Sequence, residues 1–336
     1  VGGRYHNGNT ALAASYPAGQ ALRLGGAESP TGWAMHGRER HAAFDDISNL
    51  ILPQGIDEPI QGTFPFTKHP NIYYYGDAYS RILVDLEDYH TIYTGQDQSF
   101  WRSKDGGVQW EALHTFGGRP FHFDISRADP NRIYLAATNG FFVSTDRGET
   151  FVERNLPSGL TDWHSQNLRV FASSTDPDIA WVLNQRSSAS LAAGRVFETT
   201  DGGMSWTDLT TPALAGRRWT AMVHQYGTNG GVYLASDRGP AGSLPARVVY
   251  RDRTMSDWID YTIGLPGSAN PIKLIPYYRG NKLRWIGNRG VWEIDLFEQD
   301  WAPMAQPFVS GAESLCARDT FELDSYSVAR EDATYR

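Results

Sequence analysis

The chemistry this sequence offers most openly lies in eight side chains: Arg119, Trp163, His164, Arg186, Arg217, Arg218, Arg238 and Arg289. Guanidinium forks grip carboxylate or sulfate oxygens through paired N–H···O bonds, and Trp and His add flat faces for stacking. The set suits carboxylated or sulfated sugars, or an acidic peptide. The competing reading is that these arginines pair with Asp97, Asp162 and Asp237 and merely hold loops, as exposed ion pairs commonly do. Hydrolysis of a glycosidic bond would need two facing carboxylates ~5–10 Å apart. Asp97, Asp162 and Asp237 are candidates, with Asp124 on an inner strand, yet no spacing singles out a pair. Asp45 and Asp46 fall in a stretch that cannot be placed, so catalytic residues stay unassigned.

Metal and thiol chemistry is less well supported. In Phe121-His122-Phe123-Asp124, strand alternation puts His122 and Asp124 on one face, but no third ligand is evident. A hydrogen-bonded pair packed between sheets is the simpler reading. Cys316 has no partner pattern for nucleophilic catalysis and forms no internal disulfide, which excludes a disulfide-stapled fold. No metal and no cofactor are expected.

The elements that must position these residues are marked by a repeat. Ser103-Lys-Asp105-Gly-Gly107-Val-Gln-Trp110, Ser144-Thr-Asp146-Arg-Gly148-Glu-Thr-Phe151 and Thr199-Thr-Asp201-Gly-Gly203-Met-Ser-Trp206 share one eight-residue pattern. Each reads as a tight hairpin turn: the Asp accepts bonds from turn N–H groups, the Gly takes a conformation a side chain would forbid, and the closing aromatic packs inward. The Asp residues lie 41 and 55 residues apart, the length of a module of about four short strands, the unit of a propeller blade. A decayed copy with one residue inserted surrounds Asp252, 51 residues after Asp201.

Asp-Pro turns at Asp129 and Asp176 precede second strands, because Pro presets the turn and cannot join the ladder. The resulting grid predicts strands at 120–127, 132–137, 140–144 and 150–154; then 168–174, 179–184, 196–200 and 205–210; then 219–225, 231–235, 247–251 and 258–263. A further blade takes 272–278, 283–287 and 291–295, with Trp301 near its outer strand. Residues 62–68 and 91–95 are assigned to the blade of the first repeat, and 1–58 to at least one more, near 11–14, 21–24 and 42–44. Six blades are visible, and a closed ring needs more chain at the N-terminus. Ser236-Asp-Arg-Gly239 mimics the repeat but falls between second and third strands. The grid sends the arginines to loops that lead into inner strands (115–119, 157–167, 210–218, 265–271) or join second to third strands (96–98, 139, 185–194, 236–245, 288–289), where propeller ligands usually bind.

Bulk properties agree with an all-β chain. Of 336 residues, 13% are aromatic, 34 are Gly and only 20% are charged. A net charge of −8 without any Lys/Arg run excludes nucleic acid as an electrostatic partner. No stretch approaches 18 consecutive apolar residues, so no membrane span is expected. The start at Val1-Gly-Gly-Arg suggests a processed or excised segment. From about Pro307 the texture changes, and the alternation over Thr320, Phe321, Glu322 and Leu323 reads as a strand of another β domain.

The Ser/Thr-x-Asp-x-Gly-x-Thr/Ser-Trp/Phe pattern resembles the Asp-box of BNR-repeat propellers, departing from it at Gln109; by extension of the grid the resemblance covers about residues 60–300. That superfamily includes sialidases, xyloglucanases and sortilin-type receptors, and its Asp-boxes are peripheral structural turns. The resemblance therefore implies a structural role for Ser103, Asp105, Gly107, Trp110, Ser144, Asp146, Gly148, Phe151, Thr199, Asp201, Gly203 and Trp206. The Arg-Ile-Pro segment of sialidases is missing, as is the Cys-rich module of sortilin-type receptors. The expected division is a propeller over 1–306 and, over 307–336, a linker or a segment that resembles the opening of a PKD-like β-sandwich. This combination looks like modular secreted or surface proteins of bacteria. The expected role is non-enzymatic recognition, adhesion or assembly, with a glycan or protein ligand at the loop face and further domains of the same polypeptide as partners; the alternative is a glycoside hydrolase or lyase acting on an extracellular polysaccharide.

Overall fold

The computed structural model describes residues 82–301 apart from 89–90, 106, 108, 159, 161–167, 186–193, 239–241, 269 and 288–289, together with residues 17, 18 and 20 and the flanking strands named below. The fold is all-β, a propeller of antiparallel blades, and the described residues include no α-helix. The chain forms two compact units, Val1–His122 and Phe123–Arg336.

The first unit begins with a three-stranded sheet, β1 (Gly2–Arg4), β2 (Gly8–Ala11) and β3 (Leu22–Leu24), followed by a four-stranded sheet, β4 (Gly32–Ala34), β5 (His41–Phe44), β6 (Asn49–Pro53) and β7 (Phe66–Tyr73). The next sheet carries the first repeat: β8 (Ile82–Val84), β9 (Ile92–Gln96), β10 (Ser99–Ser103) and β11 (Glu111–Thr115). This corrects the assignment of 62–68 to that blade. Its inner strand is β8, and Phe66–Tyr73 closes the preceding sheet. The turn out of β8 lacks the Pro that marks the turns out of β12 and β16. Asp85 closes it instead, its Oδ1 accepting the Glu87 and Asp88 N–H groups at 2.8 and 3.0 Å while Oδ2 accepts the Tyr93 hydroxyl at 2.9 Å.

Then come β12 (Pro120–Ile125), β13 (Ile133–Ala137), β14 (Gly140–Ser144) and β15 (Val152–Arg154); β16 (Leu168–Ala172), β17 (Ala180–Asn184), β18 (Arg195–Thr199) and β19 (Thr207–Asp208); and β20 (Trp219–His224), β21 (Val232–Ser236), β22 (Arg247–Arg251) and β23 (Ile259–Asp260). The sheet of β24 (Pro271–Tyr277), β25 (Lys282–Gly287) and β26 (Gly290–Asp295) has three strands, and β27 (Pro307–Val309) pairs with β28 (Leu323–Ser325). The described residues thus supply seven blade-type sheets. Trp301 is buried, its indole N–H donating to Asn281 Oδ1 at 2.7 Å and its ring edge-on to Tyr278.

Apolar side chains between neighbouring sheets form the core. Trp181, Leu183, Val196, Trp219, Leu234 and Trp258 fill the space between the β16–β19 and β20–β23 sheets; Tyr233, Tyr250, Leu274, Leu283 and Trp285 fill the next. Each fully buried side chain of this size contributes on the order of 1.5–3 kcal/mol. Second strands such as β13, β17 and β21 are buried throughout, which explains why they read as continuous apolar runs. Polar bonds tie sheet to sheet: Ser126 Oγ donates to Ser173 O at 2.9 Å, and Arg132 pairs with Asp178 at 2.7 Å.

The three repeats close equivalent turns after β10, β14 and β18. In each the Ser or Thr hydroxyl accepts the later Gly N–H (2.7, 2.8 and 2.8 Å) and donates to Asp Oδ1 (2.8, 2.7 and 2.8 Å). The same Oδ1 accepts the backbone N–H four residues on, at 2.9 Å in each repeat. Gly107, Gly148 and Gly203 have φ of 97°, 85° and 87°, a region that favours glycine. Arg147 occupies the preceding slot of its turn at φ 60°, where the third repeat has Gly202 at 69°.

Candidate ligand-binding site

The loops of the β16–β19 and β20–β23 sheets bring three of the eight singled-out residues to one place: Arg217 and Arg218, just ahead of β20, and Arg238, just past β21. Arg218 forms an ion pair with Asp237, whose side chain is 7% exposed against 46% for the arginine. This is the loop-holding arrangement. Arg217 has no carboxylate partner among the described residues; its Nη1 donates to Ser236 Oγ at 3.3 Å and to Pro245 O at 2.8 Å. Burial, and then the neighbouring Arg247 charge, hold its pKa below the usual guanidinium value against the pull of Asp260. Arg247 itself is matched, with Nε 2.8 Å from Asp260 Oδ2.

Arg238 turns back onto its own loop. Its backbone N–H donates to Asn270 Oδ1 at 3.3 Å and its Nη2 to Gly242 O at 3.4 Å, while its buried Nε has no hydrogen-bond acceptor. Gly242, at φ 72°, lets the guanidinium lie close: an added Cβ would sit 3.0 Å from Nη2. On the adjoining sheet, Asn184 ends β17 and is 3% exposed, and its Oδ1 has no donor.

Arg119 lies in the other unit, half-buried ahead of β12. Trp163, His164, Arg186 and Arg289 fall outside the described residues, as does Asp162. Asp97 sits exposed in its turn at φ 53° and accepts the Gln96 amide at 3.2 Å. Asp124 is engaged structurally, its Oδ2 accepting the Ala172 N–H at 2.8 Å. Among the described residues no group of three or more His, Cys, Asp or Glu side chains is placed to hold a metal ion. Residue-type reasoning passed over Asn184, Arg247 and Asn270. The strand grid marks Asn184 and Arg247 as strand ends, but their bonding is a property of the folded chain.

At the opposite ends of the inner strands the polar groups are consumed in packing. His224 is buried: its Nδ1–H donates to Gly231 O at 2.8 Å, leaving Nε2 to accept the Ser174 hydroxyl at 2.8 Å, and its ring lies 4.8 Å from that of Trp181. Burial lowers its pKa to about 4, so the ring is neutral at pH 7. Tyr226 continues the array, with Arg127 4.6 Å over one face and Tyr278 stacked at 5.6 Å. Burial pushes the Tyr278 hydroxyl well up.

The sequence model of the Sortilin-Vps10 family, described as sortilin, neurotensin receptor 3, matches residues 98–243. No curated protein matches the chain. Among solved structures, the chain is similar to the GH74 enzyme of Niastella koreensis (TM-score 0.55, 15% identity, 77% of this chain and 44% of that one). It is also similar to an ancestral GH74 enzyme (0.52, 12%, 97% and 38%) and to the Cps50 (Swd1) β-propeller domain of Myceliophteria thermophila (0.53, 10%, 82% and 86%). The chain spans less than half the length of either GH74 enzyme. At these identities the likeness establishes the propeller fold and nothing further.

Proposed function

We propose that this propeller is a non-enzymatic recognition module of a larger secreted or cell-surface protein, serving in adhesion or assembly, and that it holds its ligand at the loops carrying Arg217, Arg218 and Arg238. The observation that carries this reading is Arg217, half-buried with no carboxylate partner among the described residues, beside loops pinned by Arg218–Asp237 and Arg247–Asp260. A rigid frame presenting unspent donors is suited to binding. The family match over 98–243 supports an extracellular setting. In this reading 307–336 is a linker or the start of a PKD-like β-sandwich, the repeat turns are Asp-boxes that only close blades, and the polypeptide is bacterial. A hydrolase acting on a polysaccharide is the competing reading, encouraged by the two GH74 enzymes of similar fold. Against it, Asp237 is engaged by Arg218 and Asp124 by the Ala172 N–H.

The test is binding to glycan and peptide arrays, run beside a reducing-end assay on polysaccharides. A ligand retained by wild type and by Asp201→Asn, but lost on Arg217→Ala, is expected. Release of reducing ends that disappears in Asp237→Asn would overturn the non-enzymatic reading.

A further inference from the structure

The blade of β24, β25 and β26 stops one strand short. In the sheets of β12–β15, β16–β19 and β20–β23 a fourth strand pairs outside the third, whereas β26 ends its sheet among the described residues. Burial differs accordingly. β14 is buried throughout and β22 across its three central residues, but five of the six β26 residues are exposed, with Val291 at 60% and Trp292 at 40%.

The direction of the free backbone groups on β26 follows from the ladder. Lys282 faces Asp295 in a register that runs without a shift to Gly287 and Gly290, and Leu296 N–H donates to Asn281 O at 2.9 Å. Antiparallel pairs alternate between bonded and non-bonded, so Trp292 and Ile294 bond inward to β25 while Val291, Glu293 and Asp295 turn their N–H and C=O groups outward. The Tyr261 hydroxyl confirms the phase by donating to Asp295 O at 2.9 Å. The edge therefore offers Val291 and Glu293, donor and acceptor alike, and the Asp295 N–H to an incoming strand.

Side chains specify what that strand would carry. Residues opposite one another share a face, so Trp292 and Ile294 lie on the face of Trp285, and Val291, Glu293 and Asp295 on the other. Glu293 already meets Arg284 at 2.7 Å and Asp295 meets Lys282, yet the two carboxylate side chains remain 43% and 66% exposed. They have room for a second cation on the outer side. A second copy of the chain fits poorly, because it would bring the same carboxylates to the edge and carries a net charge of −8. A strand that alternates basic and apolar residues fits both faces, setting cations beside Glu293 and Asp295 and an apolar side chain on the exposed Trp292 ring.

We propose that the open edge of β26 takes an extended peptide of alternating basic and apolar residues as the fourth strand of its blade. This is a second binding surface, separate from the arginine loops. The experiment is fluorescence anisotropy of three labelled ten-residue peptides titrated with the chain: alternating Lys and Val, alternating Glu and Val, and the Lys/Val peptide with every second amide N-methylated. Saturable binding of the Lys/Val peptide is expected, at least about tenfold tighter than either of the others. Val291→Pro removes an outward N–H and spares the bonds to β25, so it should weaken binding about tenfold or more. Glu293→Lys should shift the preference toward the Glu/Val peptide, and Arg217→Ala should change nothing. Thermal melts separate lost binding from lost folding, and the N-methylated peptide tests the edge without altering the protein. No binding of the Lys/Val peptide, equal binding of the Glu/Val or the N-methylated peptide, or indifference to Val291→Pro overturns the proposal. So does a concentration-dependent dimer in sedimentation that Val291→Pro abolishes, since a second copy would then fill the edge.

Discussion

Replacing His224 with Asn should flatten the dependence of stability on pH. The ring bridges two blades, donating to Gly231 O and accepting from Ser174. It titrates near 4 in the folded chain against 6.5 in the unfolded one. The folded pKa is depressed, so between these values the unfolded state holds the extra proton and stability falls as pH falls. The contribution is complete above 6.5; about 2 kcal/mol of it is lost between about pH 7.5 and about pH 5. Burial raises the carboxyl pKa values of Glu198 and Glu298, which act in the opposite direction, so the difference between wild type and variant is the quantity to read. Asn keeps an N–H for Gly231 O but has no titrating ring. At pH 7.5 the variant should be weaker by about 2–4 kcal/mol through the lost Ser174 bond and ring packing. Urea unfolding followed by tryptophan fluorescence suits the assay, since Trp181 lies against the imidazole. If the variant loses stability toward acid as steeply as wild type, the neutral buried imidazole is not the responsible group.

Two further outcomes test the blades. Asp201→Ala removes the acceptor for Thr199 Oγ and for the Ser205 N–H and hydroxyl, and should cost about 1–3 kcal/mol, read as a lowered Tm. Because the Ser205 bonds hold the Asp201 carboxyl below its ordinary 3.8, this contribution is complete above that value and disappears as pH falls through the depressed one, so the variant's deficit should shrink in strong acid. Gly231→Ala would place a Cβ 2.4 Å from the Tyr250 hydroxyl and 2.7 Å from Thr228 Oγ1, and should cost more than about 2 kcal/mol in denaturant titration; Gly216→Ala, at φ 71° with nothing within 4 Å, should cost only about 1 kcal/mol.

Much of the architecture was legible because its signals are local. A turn that needs Asp to cap N–H groups and Gly at positive φ can be recognised from eight residues, and the distance between copies is the length of a blade. The strands around Asp146, Asp201 and Asp252 follow from that ruler. It failed where the local signal was weak. Without a Pro after β8, the Asp85 turn was overlooked, and the first repeat's blade was given residues that belong to the sheet before it.

What residue types and spacing determine by themselves is the all-β propeller, its repeat turns and the loop positions of Arg217, Arg218 and Arg238. They leave open which arginines are already matched. Arg217, Arg218 and Arg238 are alike in type and nearly adjacent in loop assignment, but Arg218 meets Asp237, Arg217 meets a hydroxyl and a carbonyl, and the Nε of Arg238 meets no acceptor. That difference arises only when loops remote in sequence close on one another, because a charge is neutralised by what lies near it in space, whatever its neighbours in the chain.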